Sequence, residues 1–518
     1  MSTDTYAGPE QAPSAMTEDQ ASTARTVGLT GLMAVVLGTL ILILNAASAR
    51  LPVELGNNVG FAGIAVGMAM MFFHATRDTD QLVRRLYGYV GGLGLPLSGI
   101  ILSLLPVIIS ASRSAPEDGG PKPIQSLFFP FGWACFLAGL FFLIPFCRNE
   151  TEERARRHGI LGLAAIGAGL ALTGVIGGTV AARFALTYGS VLTLLGLAYL
   201  VALVGQLGGA ERAGYRPALA IGALGLIVFL IALARSIFFG GYAYFVPTGL
   251  VLMALGLAYV ITALFLVSDA TVVVLTRREL LAFFCSPIAY ILLFLSAFVA
   301  WVNYNEFADM LLGTRGVMYE PIIFPFFLGT IYAPIMLLIQ VPALTMRSFA
   351  EEKRTGTYEV LMCAPVSETP VVVSKVLAAL TFFMLIWAVW LVFLLDLRVQ
   401  SGKEFDYRPI ITFYLVLLVN GAAFVAMGVF FSSLTRNQIV AFALGFVGML
   451  AWLVPFYVLR SIPEESTKAI VLRPFSFVHL WFDSLQGRLH VRDLFVQGSI
   501  AVVWAFLTVR VLEARRWS

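Results

Sequence analysis

Long apolar runs, interrupted at short intervals by arginines and small polar clusters, dominate the chain. A helix crossing the hydrocarbon core needs about 20 apolar residues. Lipid offers the backbone no hydrogen-bond partner, so only helices and closed barrels cross it. The runs are continuous and do not alternate, which excludes a barrel. They predict eight spans in the leading half, at about 27–48, 58–75, 88–111, 126–147, 159–181, 184–205, 217–239 and 245–268. Six more follow, at about 287–303, 324–345, 371–396, 410–434, 438–459 and 494–513. The second and ninth runs are short, and only Ala182-Arg183 separates the fifth from the sixth. The expected fold class is an all-α polytopic membrane protein of about 14 transmembrane helices.

Basic residues concentrate in cytoplasmic loops, which orients this count. Loops after the even spans of the leading half hold Arg77, Arg84, Arg85, Arg148, Arg154, Arg156, Arg157, Arg212, Arg216, Arg277 and Arg278. Loops after the odd spans hold Arg50, Arg113, Lys122 and Arg183. The asymmetry predicts that both termini are cytoplasmic. In the trailing half Arg347, Lys353, Arg354, Arg436, Arg515 and Arg516 fit the same parity. Two basic loops, one with Arg398, Lys403 and Arg408 and one with Arg460, Lys468, Arg473, Arg488 and Arg492, run against it.

Composition agrees with a membrane protein. Hydrophobic residues make up 59% of the chain and charged ones 12%, where soluble domains carry about 25% charge. A net charge of +4 gives no footprint for nucleic acid. Cys135, Cys147, Cys285 and Cys363 lack disulfide or metal spacing and read as free thiols. The first span ends in Ala47-Ser48-Ala49, which mimics a cleavage site. Its lead is polar and partly acidic, with Arg25 as the one basic residue, so an uncleaved span is expected. Residues 1–25 read as a disordered cytoplasmic tail. The predicted domains are that tail, an eight-span region over 26–268 and a six-span region over 269–518. No sequence repeat relates the two halves.

Two segments of the trailing half carry candidate chemistry. Arg277, Arg278 and Glu279 precede a short apolar stripe ending at Phe283 and Phe284, then Pro287 opens a span. This suits a helix in the inner interface or an ordinary juxtamembrane anchor. Between two spans on the predicted cytoplasmic side, Glu351, Glu352, Lys353 and Arg354 form a charged turn. Gly356 interrupts it, a second segment runs from Tyr358 to Cys363, Pro365 ends that, and Thr369-Pro370 reads as an N-cap followed by Pro at the first helical position. Spacing leaves two readings open, a docking surface and a solvated loop.

The stretch Ser348 to Leu361, followed by Ala364-Pro365-Val366-Ser367 and Ser374-Lys375-Val376-Leu377, resembles the signature of ABC-2 type permeases. Among these it is similar to the gliding-motility-associated and nitrous-oxide-reductase-maturation permeases. Ser374 stands where the family usually has Gly. The resemblance covers about residues 272–518. It implies a permease subunit of an ATP-driven transporter, an exporter, driven by a separate ABC ATPase that binds the ATP. It implies that Phe349, Glu351, Glu352, Arg354, Gly356, Thr357, Tyr358, Glu359, Leu361, Pro365 and Lys375 couple to that ATPase. Arg277, Arg278, Glu279 and Phe283 would form an interface helix, and Arg473–Gly487 would be re-entrant helices on the outer face. A homodimer or a second permease or auxiliary membrane subunit is implied, in a bacterial-type inner membrane.

Other chemistry is poorly represented. A phosphate-binding loop needs a Gly five residues before its Gly-Lys; Gly402-Lys403 has Leu397 there. No catalytic residues, cofactor or metal site are expected: His74, His158, His479 and His490 show no ligand spacing. An ion-coupled carrier is the rival reading, but ionisable groups mid-span, which mark such function, are few. Arg235, Asp396 and Glu513 lie toward span ends, and Gln340 and Asn420 read as helix–helix hydrogen-bonding groups. A third reading makes the leading spans a scaffold or sensor for a neighbouring complex.

Overall fold

The computed structural model describes residues 18–48, 53–77, 80–112, 123–180, 188–208, 212–238, 248–284, 286–311, 323–329, 332–359, 367–401, 408–463 and 466–516. Every regular element among them is helical. Among the described residues thirteen helices are long and apolar enough to cross a membrane, and the shorter apolar stretch Ala62–Thr76 falls at the second expected run. The protein is therefore an all-α, multi-pass membrane protein. Internal contacts divide it into two units, Met1–Val267 and Ser268–Ser518.

The first unit is a row of four antiparallel helical hairpins. They are α1 (Glu18–Ser48) with α2 (Val53–Arg77); α3 (Gln81–Leu86), a π-helical stretch (Tyr87–Gly94) and α4 (Leu95–Ser112) with α5 (Pro123–Asn149); α6 (Glu153–Val180) with α7 (Ser190–Leu207); and α8 (Arg212–Phe238) with α9 (Leu250–Val267). Helix α1 begins inside the stretch expected to be a disordered tail, since residues 18–25 are helical. Residues 1–17 of the expected tail lie outside the described residues.

The hairpins share a sequence motif within this unit. The second helix of each carries Gly-x6-Gly, a Leu or Met, one residue, and then a large side chain. The positions are Gly60, Gly67 and Met70; Gly132, Gly139 and Phe142; Gly189, Gly196 and Tyr199; and Gly249, Gly256 and Tyr259. Residues 189–199 and 249–259 are identical at eight of eleven positions. The packing repeats with the sequence. Tyr199 Oη donates to the Phe136 carbonyl at 2.6 Å, and Tyr259 Oη to the Thr193 carbonyl at 2.7 Å. Both acceptors stand four residues after the first glycine of the preceding motif. Within the last hairpin a Cβ on Gly256 would stand 2.7 Å from the Gly225 carbonyl oxygen, so only glycine permits this approach. The second helices α2, α5, α7 and α9 pack in sequence, each on the next, as in a solenoid. Arg235, toward the end of its span, donates to the Thr179 carbonyl.

The second unit holds α10 (Thr271–Phe284), α11 (Pro287–Leu311), α12 (Phe324–Leu328), α13 (Tyr332–Thr345), α14 (Ala350–Thr355), α15 (Glu368–Ser401), α16 (Arg408–Leu434), α17 (Gln438–Arg460), α18 (Thr467–Leu472), α19 (Phe477–Leu485) and α20 (Val491–Arg516). Helix α11 runs to Leu311, eight residues beyond the expected end. The tenth expected span is two helices, α12 and α13. Pro325 opens α12 and Pro334 lies in the first turn of α13, where a missing N–H costs least. Helix α15 begins at Glu368, so Thr369 and Pro370 lie in its first turn and Thr369 is not the cap.

An aromatic core fastens this unit. Trp387, Trp390, Phe327, Phe413 and Trp481 are fully buried, with Trp481 5.4 Å from both the Trp387 and Phe413 ring centroids. Helix α19 delivers Trp481, so the stretch Arg473–Gly487 is helical and drives its aromatic face into the core. Gln340 and Asn420 are fully buried, yet neither amide has a hydrogen-bond partner. The helix–helix hydrogen bonds expected of these two amides are therefore not formed in the structure.

Candidate functional site

The predicted cytoplasmic stretch folds into an elbow between α13 and α15. Residues 346–349 turn, α14 follows for six residues, and Gly356 closes it in the left-handed conformation at φ 77°. That conformation is one L side chains rarely adopt. Residues 357–359 continue as a helical turn. Leu361 and Pro365 lie outside the described residues.

Burial divides the elbow into two faces. Phe349, Ala350 and Lys353 are buried, whereas Arg354, Thr355, Gly356, Thr357 and Glu359 are exposed. Glu351, Glu352 and Tyr358 are intermediate. Four of the residues singled out by sequence, Arg354, Gly356, Thr357 and Glu359, therefore form an exposed tip. Phe349, Glu352 and Lys375 lie on the side that braces the elbow against the spans.

Lys375 is the centre of the brace. Its side chain is 2% exposed and its Nζ lies 2.7 Å from Glu352 Oε1 and 3.2 Å from Glu279 Oε1. The same ammonium sits 5.1 Å from the Phe349 ring centroid, in cation–π range. Arg278 completes the cluster, 3.1 Å from Glu279 and 3.8 Å from Glu352. One lysine on α15 thus joins the elbow to α10. Helix α10 is held on α15 again by Phe283, whose ring stacks on Phe382 at 5.6 Å. Arg277 faces elsewhere and donates to the Ser268 carbonyl at 2.5 Å.

A second brace comes from residues that sequence reasoning passed over. Ser432, near the end of α16, accepts from the backbone N–H groups of Phe349 and Ala350, each at 3.1 Å. It donates to the Met346 carbonyl, also at 3.1 Å. The first N–H groups of a helix have no partner within it, and α14 begins here, so Ser432 caps it from another helix. Lys353 reaches back to donate to the Ser433 carbonyl, and its Nζ lies 5.4 Å from the Tyr358 ring centroid. The only sequence signal is the Ser432-Ser433 pair at a span end, which reads as an ordinary helix terminus. Arg347, also unassigned by sequence, pairs with Glu351 at 3.1 Å and donates to Ser286 Oγ at 2.8 Å.

Mechanically, the elbow is tied to three other helices, α10 and α15 through Lys375 and α16 through Ser432 and Ser433. Its tip, Arg354–Thr357 with Glu359, is exposed.

Residues 300–507 match the family model described as ABC-2 family transporter protein. No curated protein and no solved structure matches the chain. The matched segment takes in the elbow, Lys375 and Ser432, and spans most of the second unit. It is similar to the membrane domain of ABC-2 transporters, and this likeness supports a permease component of an ABC transporter.

Proposed function

We propose that the chain is the membrane subunit of an ATP-driven exporter, and that a separate ABC ATPase drives it through residues 347–370. The observation that carries this reading is the split of the elbow into a braced base and an exposed tip. A loop with no mechanical duty has no reason to bury Lys375 between two glutamates or to be capped by Ser432. Positive charge in the flanking loops supports a cytoplasmic elbow, where a nucleotide-binding subunit can reach it. Closure of that subunit on ATP would press on Arg354, Thr357 and Glu359 and displace the braced helices together. Two copies, or one copy and a second permease, would enclose the path, in a bacterial-type inner membrane. The stretch Ser348–Leu361 further supports placing the protein with the gliding-motility-associated and nitrous-oxide-reductase-maturation permeases.

The test is direct. A photocrosslinking amino acid at Thr357 should capture the ABC ATPase encoded nearest to this protein, and Glu359→Lys should abolish co-purification. Crosslinking that finds no ATPase, with transport intact in Glu359→Lys, overturns the reading.

A further inference from the structure

A cleft of about 260 Å³ opens beside the braced elbow. Its floor is apolar and comes from the spans: Phe283, Ile288, Leu292 and Leu344, with Ala289 and Ala343 leaving room. Its rim carries Arg278, Arg347 and Lys375 together with Glu279, Glu351 and Glu352. Three cations and three carboxylates make the rim neutral but strongly polar. The two chemistries lie in the order found in a lipid at an interface, with a polar head over an apolar stem. Neighbouring side chains face outward as lipid-facing ones do: Leu281, Tyr290, Ile291 and Phe294 are exposed.

The rim has unused capacity of both signs. Glu352 gives Oε1 to Lys375, while its Oε2 is buried with no hydrogen-bond partner. A buried carboxylate oxygen left unpaired is costly, so it calls for a donor. Arg278 and Arg347 each have five N–H donors. Arg278 gives one to Glu279, and Arg347 gives one to Ser286 while also facing Glu351. The remaining donors suit a phosphate, which guanidinium groups bind in a fork. A ligand that answers both needs carries a phosphate and an N–H-bearing cation a few atoms apart.

We infer that the cleft is a binding site for the headgroup of a phosphatidylethanolamine-class lipid. Its phosphate pairs with Arg278 and Arg347, its primary ammonium pairs with the part-exposed Glu352 carboxylate, and its acyl stem follows the floor between α11 and α13. A phosphatidylglycerol has no cation for Glu352. A phosphatidylcholine has a cation without N–H donors. The occupied site would weld the interface helix α10 to the elbow, so that the lipid becomes part of the coupling base. The proposal rests on the elbow lying at the inner membrane face; it does not require the ATPase.

The test uses the full chain without any ATPase, which separates its failure from failure of the coupling reading. The protein is placed in nanodiscs of phosphatidylcholine with equal small fractions of phosphatidylethanolamine and phosphatidylglycerol, released, and examined for retained lipid by native mass spectrometry. The expected result is retention of phosphatidylethanolamine over the other two by about tenfold, the ratio one charge-assisted hydrogen bond supplies. Glu352→Gln should remove the preference for ethanolamine over choline. Ala289→Phe, which fills the floor, should remove retention altogether while tryptophan fluorescence stays unchanged. Equal retention of the three lipids, or full retention in Ala289→Phe, overturns the site. Displacement by free glycerophosphoethanolamine at matching concentration would make the ligand a soluble one and also overturn the lipid assignment.

Discussion

Replacing Lys375 by Met keeps most of the length and bulk of the side chain and removes its ammonium group. In the native structure the ammonium, 2% exposed, holds Glu352 at 2.7 Å and Glu279 at 3.2 Å. Removing one partner of a buried ion pair typically costs about 3–5 kcal/mol, because the other charge is left unpaired. Here Arg278 remains 3.1 Å from Glu279 and 3.8 Å from Glu352 and screens their repulsion. The expected loss is therefore the low end, about 3 kcal/mol. For a unit of this size that corresponds to a fall in Tm of roughly 6–12 °C. Seven of the eight tryptophans lie in the second unit, all but Trp133, so fluorescence-detected melting reports on it selectively. The decisive measurement is a cycle with Glu352→Gln. If the two charges act on each other, the double variant should be about 1–2 kcal/mol more stable than the sum of the single losses. Losses that add within about 0.5 kcal/mol would show that Lys375 is held by packing, and the brace argument would fail.

Ser432→Ala removes three backbone bonds at once and should cost about 1–2 kcal/mol, the worth of a lost cap, seen as faster hydrogen exchange confined to residues 346–353. Gly256→Leu should split the last hairpin, because even a Cβ there stands 2.7 Å from a backbone oxygen; a Tm drop of the first unit with the second unit unchanged checks it. Arg85 pairs with Glu150 at 3.3 Å. Burial raises the Glu150 pKa, but the hydrogen bond from Arg85 and backbone N–H groups outweigh it, so the carboxyl titrates below the ordinary carboxylate range. A depressed folded pKa stabilises above the ordinary value of about 4.3 and is lost as pH falls through the folded value. The first unit should thus lose stability below about pH 4, and Glu150→Gln should flatten that slope.

The spans were legible because lipid imposes a length and a composition on each one, whatever it packs against. The elbow was legible as a stretch because its charges and Gly356 interrupt that pattern. Which of its residues face inward was not legible: Glu351 to Glu359 read as one polar run, and only the fold turns Lys353 in and Arg354 out. Ser432 lies some eighty residues from the groups it caps, and nothing local to it marks that partnership. Gln340 and Asn420 failed for the opposite reason. Their polarity suggested partners, but what a buried amide meets depends on the facing helix. The hairpin motif was in plain view, yet its large residue shifts from Met70 through Phe142 to Tyr199 and Tyr259, so only the paired Tyr contacts give the period meaning.

That period makes a strong claim about the first unit. If hairpins three and four are equivalent modules, the chain should tolerate losing one period of sixty residues. Deleting residues 190–249 joins Gly189 to Leu250 and leaves α6 paired with α9. The Thr193 carbonyl that Tyr259 uses is gone, but the equivalent carbonyl of Phe136, used natively by Tyr199, is then vacant. Tyr259 would inherit it, four residues past Gly132. In a repeat array each module contacts only its neighbours, so stability should fall by one module without collapse of the rest. The expected product is a membrane-inserted, monodisperse protein in which Tyr259→Phe costs about 1 kcal/mol, the net worth of a hydrogen bond. A deletion shifted in length by two residues keeps almost the same composition but turns the tyrosine by about 200°, to the opposite face of its helix. If the shifted deletion inserts and melts as well as the sixty-residue one, the repeat is a coincidence of glycine-rich sequence and carries no structural period.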